Sequence, residues 1–196
     1  MKTTLTLPAG YHPIRRLRLS ENRRLSLWLN AASLLLSLSL VLIGLALHPL
    51  EVSFGSPADL LNDCWPQLLT AIAGGMLYSV LHELTHGVMI RLTAGIRADY
   101  TVSGLHVCAG SSRAFFSRPA YLAVGLSPII LWGAVLLILN LTLPDDWFWP
   151  VYFIQICNLS NAASGLYITH QLMFVLPKDV LTTDTGTEMT FYSRAR

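Results

Sequence analysis

Long apolar runs alternate with short polar, basic segments along this chain. Leu27 to Leu47 carries no charged side chain over 21 positions. At about 1.5 Å of helical rise per residue that run crosses the roughly 30 Å of a bilayer's hydrocarbon. A second run extends from about Pro66 to Ile90, a third from Ala120 to Leu143 and a fourth from about Trp147 to Leu176. The pattern predicts an all-α membrane protein, a bundle of four transmembrane helices at about 27–47, 66–90, 120–143 and 147–176. Pro128 is expected to bend the third helix unless neighbours satisfy the carbonyl it frees. Between helices two and three, Ala98 to Ser112 mixes Tyr100, Val102, Leu105 and Val107 with Thr101, Ser103 and glycines. That mixture reads as a short β-hairpin-like insertion rather than a span. After Pro177, Asp184-Thr185-Gly186 reads as a turn and Glu188 to Tyr192 as a short extended piece.

Composition agrees with lipid as the solvent. Of 196 residues 53% are hydrophobic and 12% charged, about half the charge of an ordinary soluble domain. A cleaved signal peptide is the competing reading of the first run, but the run exceeds the usual 7–15 residues of such a segment and the chain beyond it is itself membranous. The 13 basic residues orient the bundle. They fall in segment 1–26, in loop 91–119 and in the tail from 177; loops 48–65 and 144–146 hold none. In a four-helix arrangement all of them lie on one side, which the positive-inside rule makes cytoplasmic. The expected organisation is therefore a cytoplasmic basic segment at 1–26, a transmembrane domain at 27–176 and a cytoplasmic tail at 177–196. Trp28, Trp65, Trp147 and Trp149 lie near the proposed helix ends, as interfacial anchors do. The N-terminal arginines serve topology first and anionic lipid second, and no nucleic-acid partner is expected. Cys64, Cys108 and Cys157 form no CxxC pair, so they are read as buried small side chains.

Chemistry concentrates in His82-Glu83-Leu84-Thr85-His86. Two histidines four apart share one helix face and can bind one metal ion, with zinc the expected one. A glutamate following the first histidine stands beside the attacking water as general base. Glu83 lies eight residues inside Arg91, about 12 Å into the membrane by helical rise. An acidic residue at the centre of a spanning helix costs roughly 2.5–3.5 kcal/mol on insertion scales. Metal coordination compensates such a cost; a hydrogen-bonded cluster without metal is the plainer alternative.

The stretch Leu81 to Gly87, LHELTHG, resembles the site-2 class of intramembrane metalloproteases. More closely, the chain is similar to a bacterial family of small membrane zincins, a domain of unknown function with HExxH in a transmembrane helix. Three further segments carry that resemblance: PAYLAVGLSPIILWG at 119–133, NAASGLYITHQL at 161–172 and PKDVLTTDTGTEMTFY at 177–192. It implies a membrane-embedded zinc peptidase in the bacterial inner membrane. It also implies a third ligand, the aspartate of a Gly-Asp pair in the last helix. This chain departs there, with Gly165 at the aspartate's place. The candidates to replace it are His170, Asn161, Asp184 and Glu188. Each has a plainer reading: His170 as a bond to a neighbouring helix, Asn158 and Asn161 as interhelical packing, Asp184 as a turn residue. His106 is read as structural, His12 and His48 as surface residues.

Two functions are expected from this sequence. The first is a zinc metallopeptidase acting on membrane-associated polypeptides, with the 98–112 segment guiding them. The second is a catalytically inactive zincin-like membrane protein with a binding or regulatory role. A transporter is disfavoured, because paired broken helices are not seen.

Overall fold

The computed structural model describes residues 3–18, 21–49, 57–103 and 106–194, without the side chains of 57–64, 103 and 106. The expectations for Cys64, for Leu105 and for the side chain of His106 lie outside the described residues. Among the described residues, four helices and a five-stranded antiparallel sheet are formed: β1 Tyr11–Leu17, α1 Arg23–Leu47, α2 Pro57–Ala94, β2 Asp99–Ser103, β3 His106–Ser117, α3 Arg118–Thr142, α4 Phe148–His170, β4 Leu181–Asp184 and β5 Met189–Arg194. A 3₁₀ turn, Asp145–Trp147, leads into α4 and a π turn, Gln171–Val175, leaves it.

Helix ends follow local chemistry. Asn22 caps α1, its side chain accepting a hydrogen bond from the Leu25 N–H at 3.1 Å. Pro119 sits in the first turn of α3, where its missing N–H is harmless. Arg118 donates to the Leu176 and Pro177 carbonyls at 2.8 and 2.6 Å, covering acceptors left open where the π turn stops.

Three helical stretches, Arg23–Leu47, Trp65–Ala94 and Arg118–Thr142, are long and apolar enough to cross a membrane. Their outward faces are oily: Leu42, Met76 and Leu141 are 67, 69 and 76% exposed. Apolar surface on that scale calls for lipid. The fourth predicted span is not among them, and its position explains why. Helix α4 packs against α1, α2 and α3, so protein covers it and it tolerates polar side chains. Asn158 is fully buried. Ser33 of α1 donates to the Ser160 carbonyl at 2.8 Å, and Tyr152 donates to the Leu40 carbonyl at 2.8 Å. Gly44 is needed where α1 meets α4, since a Cβ there would overlap the Tyr152 ring.

The sheet exceeds the small insertion expected and corrects the all-α reading: the described residues are mostly helical but form five strands. The predicted hairpin is present as β2–β3, pairing Asp99 with Gly110 through Ser103 with His106. Its far edge then pairs with the tail, and the N-terminal segment closes the other side, in the order β1-β5-β4-β3-β2. The chain leaves this sheet by α1 and returns by α2, then leaves by α3 and returns by α4. A core of Leu17, Ile90, Phe116, Leu172, Val180 and Phe191 joins the sheet to the helix ends.

The β4–β5 turn is latched onto β3. Gly186 takes a left-handed φ of 86°, which favours glycine. A Cβ on Gly110 would overlap the backbone of Thr185 and Gly186 and lie 2.7 Å from the Asp184 carbonyl oxygen. Gly110→Ala is therefore expected to lower stability in detergent by at least about 1–3 kcal/mol. Gly125→Ala, whose Cβ meets nothing within 4 Å, should stay within about 0.5 kcal/mol of the parent in the same unfolding measurement.

Candidate metal centre

Helix α2 presents His82, Glu83 and His86 together, their donor atoms all within 4.8 Å of one another. The two imidazole rings meet edge-on, with centroids 5.0 Å apart. Each histidine is held through Nδ1, which leaves Nε2 for a ligand.

For His82 the holder is Tyr78, one turn earlier, its hydroxyl 2.8 Å from Nδ1. Tyr78 has one proton, and it goes to Asn158 Oδ1 at 2.8 Å. The Asn158 amide nitrogen faces the Ile129 carbonyl, which fixes the amide's sense. His82 Nδ1 must then be the donor to Tyr78, so Nε2 carries the lone pair. Buried Asn158 thereby sets a tautomer as well as joining helices.

For His86 the partner is the Val124 carbonyl, 2.9 Å from Nδ1. A carbonyl only accepts, so Nδ1 carries the proton here too. In a regular helix the N–H of residue 128 would occupy that carbonyl. Residue 128 is proline and has no N–H to give. The expectation that neighbours would satisfy this freed carbonyl is met by His86 itself, with Ser127 donating to the same oxygen at 2.9 Å. Carboxylate or carbonyl partners of this kind orient metal-binding histidines generally.

Glu83 faces the sheet, where the Ala109 N–H of β3 donates to its Oε2 at 2.7 Å. On the same helix Thr85 accepts from Trp132 Nε1 at 3.1 Å. Gly87 lets the hairpin approach, because a Cβ there would overlap the Tyr100 hydroxyl.

These groups open onto a cavity of about 340 Å³, walled by α2, α3, α4 and the sheet. Cys108, Asn161, Gly165 and Asp184 line it, with an apolar flank that includes Ile90, Phe116 and Ile168. Asp184 arrives from β4, where it pairs with Ser111 of β3. Its carboxylate accepts from the Tyr121 hydroxyl and, at 2.8 Å, from the Gly186 N–H. Burial pushes this carboxyl up, and Tyr121, Gly186 and His86 pull it back. Burial, with Glu83 and Asp184 nearby, pushes the Cys108 thiol up.

The four candidate third ligands separate in space. Asn161 and Asp184 face the cavity with the histidines. His170 lies outside it, against the Phe174 ring at 5.3 Å. Glu188 is bound to Arg18 at 2.6 Å. His48 stacks on Phe148 with centroids 3.9 Å apart, and His12 is exposed as expected. Tyr78 and Tyr121 were not singled out from sequence, and Cys108, expected as a buried small side chain, is half-buried on the cavity wall. Tyr78 stands four before His82, and that spacing was its only signal.

This site marks the class: a HExxH helix in a membrane-type bundle, with its imidazoles oriented for metal. A family described as "Putative zincin peptidase" matches residues 75–181, over half the chain, and the chain belongs to that family. No curated protein and no solved structure matches it. Membership implies a metal ion, usually zinc. The donor chemistry fits one, since two free imidazole nitrogens beside a carboxylate are what zinc takes from proteins.

Tyr78→Phe removes the acceptor of His82 Nδ1–H, and Pro128→Ala returns a competing N–H to the Val124 carbonyl. Each is expected to weaken zinc binding about 10–100-fold, as read by chelator competition on the folded protein. Unchanged affinity in both would mean that these bonds orient nothing.

Proposed function

We propose that this chain is a zinc metallopeptidase that hydrolyses peptide bonds of membrane-associated polypeptides. His82 and His86 hold the metal and Glu83 serves as general base. The observation that supports this most is the pair of histidines tied through Nδ1, with donor atoms of His82, Glu83 and His86 all within 4.8 Å of one another. When bound there, zinc supplies Lewis acidity that polarises a carbonyl and acidifies water. Glu83 takes the water's proton on its carboxylate and passes it to the leaving nitrogen. The Ala109 N–H holds Glu83 in place for both transfers. The apolar flank of the cavity receives an apolar side chain of the polypeptide and excludes water from the reacting bond. An extended polypeptide approaches along the hairpin, whose outer strand β2 is an edge of the sheet among the described residues.

The four helices all span the membrane in this reading, α4 included, because β1, the hairpin and the tail share one sheet. The basic segments then face the cytoplasm with both termini, in a bacterial inner membrane. The organisation into a basic segment at 1–26, a membrane domain at 27–176 and a tail at 177–196 belongs to the same proposal. Gly165 favours a second reading, an inactive zincin-like protein with a binding or regulatory role.

Glu83→Gln separates the two. It should reduce cleavage of a membrane-anchored reporter by at least about 10²-fold, the low end for loss of a general base, with zinc content unchanged. Cleavage retained at the parent rate in that variant would exclude Glu83 as the base. A parent protein that loads zinc but cleaves none of a broad peptide set would favour the inactive reading.

A further inference from the structure

We propose that Asp184, on the C-terminal strand β4, is the third protein ligand of the metal held by His82 and His86. The inference rests on the zinc reading above. It places a ligand beyond the region 75–181 that defines the family match.

A catalytic zinc takes three protein ligands and keeps one position open, and the last helix does not supply the third. Gly165 lines the cavity with no side chain to offer. Space for one is present, since an added Cβ would come no closer than 3.8 Å to the Gly125 carbonyl oxygen. His170 and Glu188 are engaged elsewhere. Asn161 offers at most a neutral amide oxygen.

Asp184 has what the others lack. It stands outside the tight trio of His82, Glu83 and His86 but enters the same cavity from the sheet side. It lies within electrostatic reach of both His86 and Glu83. Its carboxylate is oriented by the Tyr121 hydroxyl and the Gly186 N–H, as ligating carboxylates are in turn hydrogen-bonded. The turn that carries it is locked by Gly110 and Gly186 against β3. The same strand β3 holds Glu83 through Ala109. One strand therefore sets the positions of the base and of this carboxylate together.

The test uses the full chain in detergent, with zinc affinity read by chelator competition and the ligand field read from the visible spectrum after cobalt substitution. Asp184→Ala should lose at least about 100-fold in zinc affinity, at or beyond the upper end for loss of a supporting contact, and should change the cobalt spectrum. Asp184→Asn, which keeps the shape of the turn, should do the same. Adding Gly165→Asp to the Asp184→Ala chain should recover most of the affinity, because it returns a carboxylate to the same cavity from α4. Affinity in Asp184→Asn within about threefold of the parent, with an unchanged cobalt spectrum, would overturn the assignment. So would a loss confined to Asn161→Ala, which would give the third position to that amide. A parent chain that binds no zinc would instead defeat the metal reading itself, a different failure.

Discussion

Placing ionisable side chains inside an apolar helix is the constraint on which this structure turns. His82, Glu83 and His86 lie in a stretch whose outward neighbours, Met76, Leu77, Val80 and Val88, are exposed and apolar. Among apolar neighbours of that kind each polar atom is stabilised by a protein partner or a ligand. The partners come from each wall of the cavity: Tyr78 and Asn158 tie α2 to α4, the Val124 carbonyl ties it to α3, and the Ala109 N–H ties it to the sheet. Satisfying the site and assembling the bundle are thus one problem. The buried Asn158, the interior Pro128 and the glycine after His86 are parts of a single solution.

The sheet solves the complementary problem of bringing distant segments to one end of the helices. Residues 11–17, 106–117 and 181–194 are far apart in sequence, yet they pair edge to edge. Each excursion of two helices returns to this sheet. Helix α4 must therefore run back although it is not among the stretches apolar enough to cross a membrane by themselves, and its neighbours shield it. Arg18 bridges Glu21 and Glu188 at 2.6 Å, joining the two terminal segments near the start of α1. Arg18 and Glu21 are exposed and Glu188 is only half-buried, so the contribution of this network is small beside the strand pairing.

Much of this was legible in the sequence because its signals are local. The long apolar runs expected at 27–47, 66–90 and 120–143 lie within helices 23–47, 57–94 and 118–142, although α2 begins at Pro57 inside what read as loop 48–65, and the HExxH spacing announces its own face of α2. The hairpin at 99–117 showed in its mix of Tyr, Val and small residues. Even the demand made by Pro128 was readable, though not that His86 would answer it. What was hidden is non-local. Strand β1 contains Pro13 and three charged or imidazole side chains, so it reads as a basic leader until β5 is known to lie beside it. The tail was read as one turn and one extended piece because its partner β3 is some seventy residues away. His170 and Glu188 were reasonable by depth and charge, but helical rotation turned one away and Arg18 held the other. Asp184 looked like a turn residue, and it is one. That it also lines the cavity depends on a pairing with Ser111 that no local pattern encodes.

The central claim is that His82 and His86 hold a metal ion. Elemental analysis of the detergent-purified protein, prepared with ample zinc and beside His86→Ala, tests it most directly. The account predicts close to one zinc per parent chain and almost none in the variant, with both proteins folded. A parent chain without metal, or a variant that keeps it, would contradict the account.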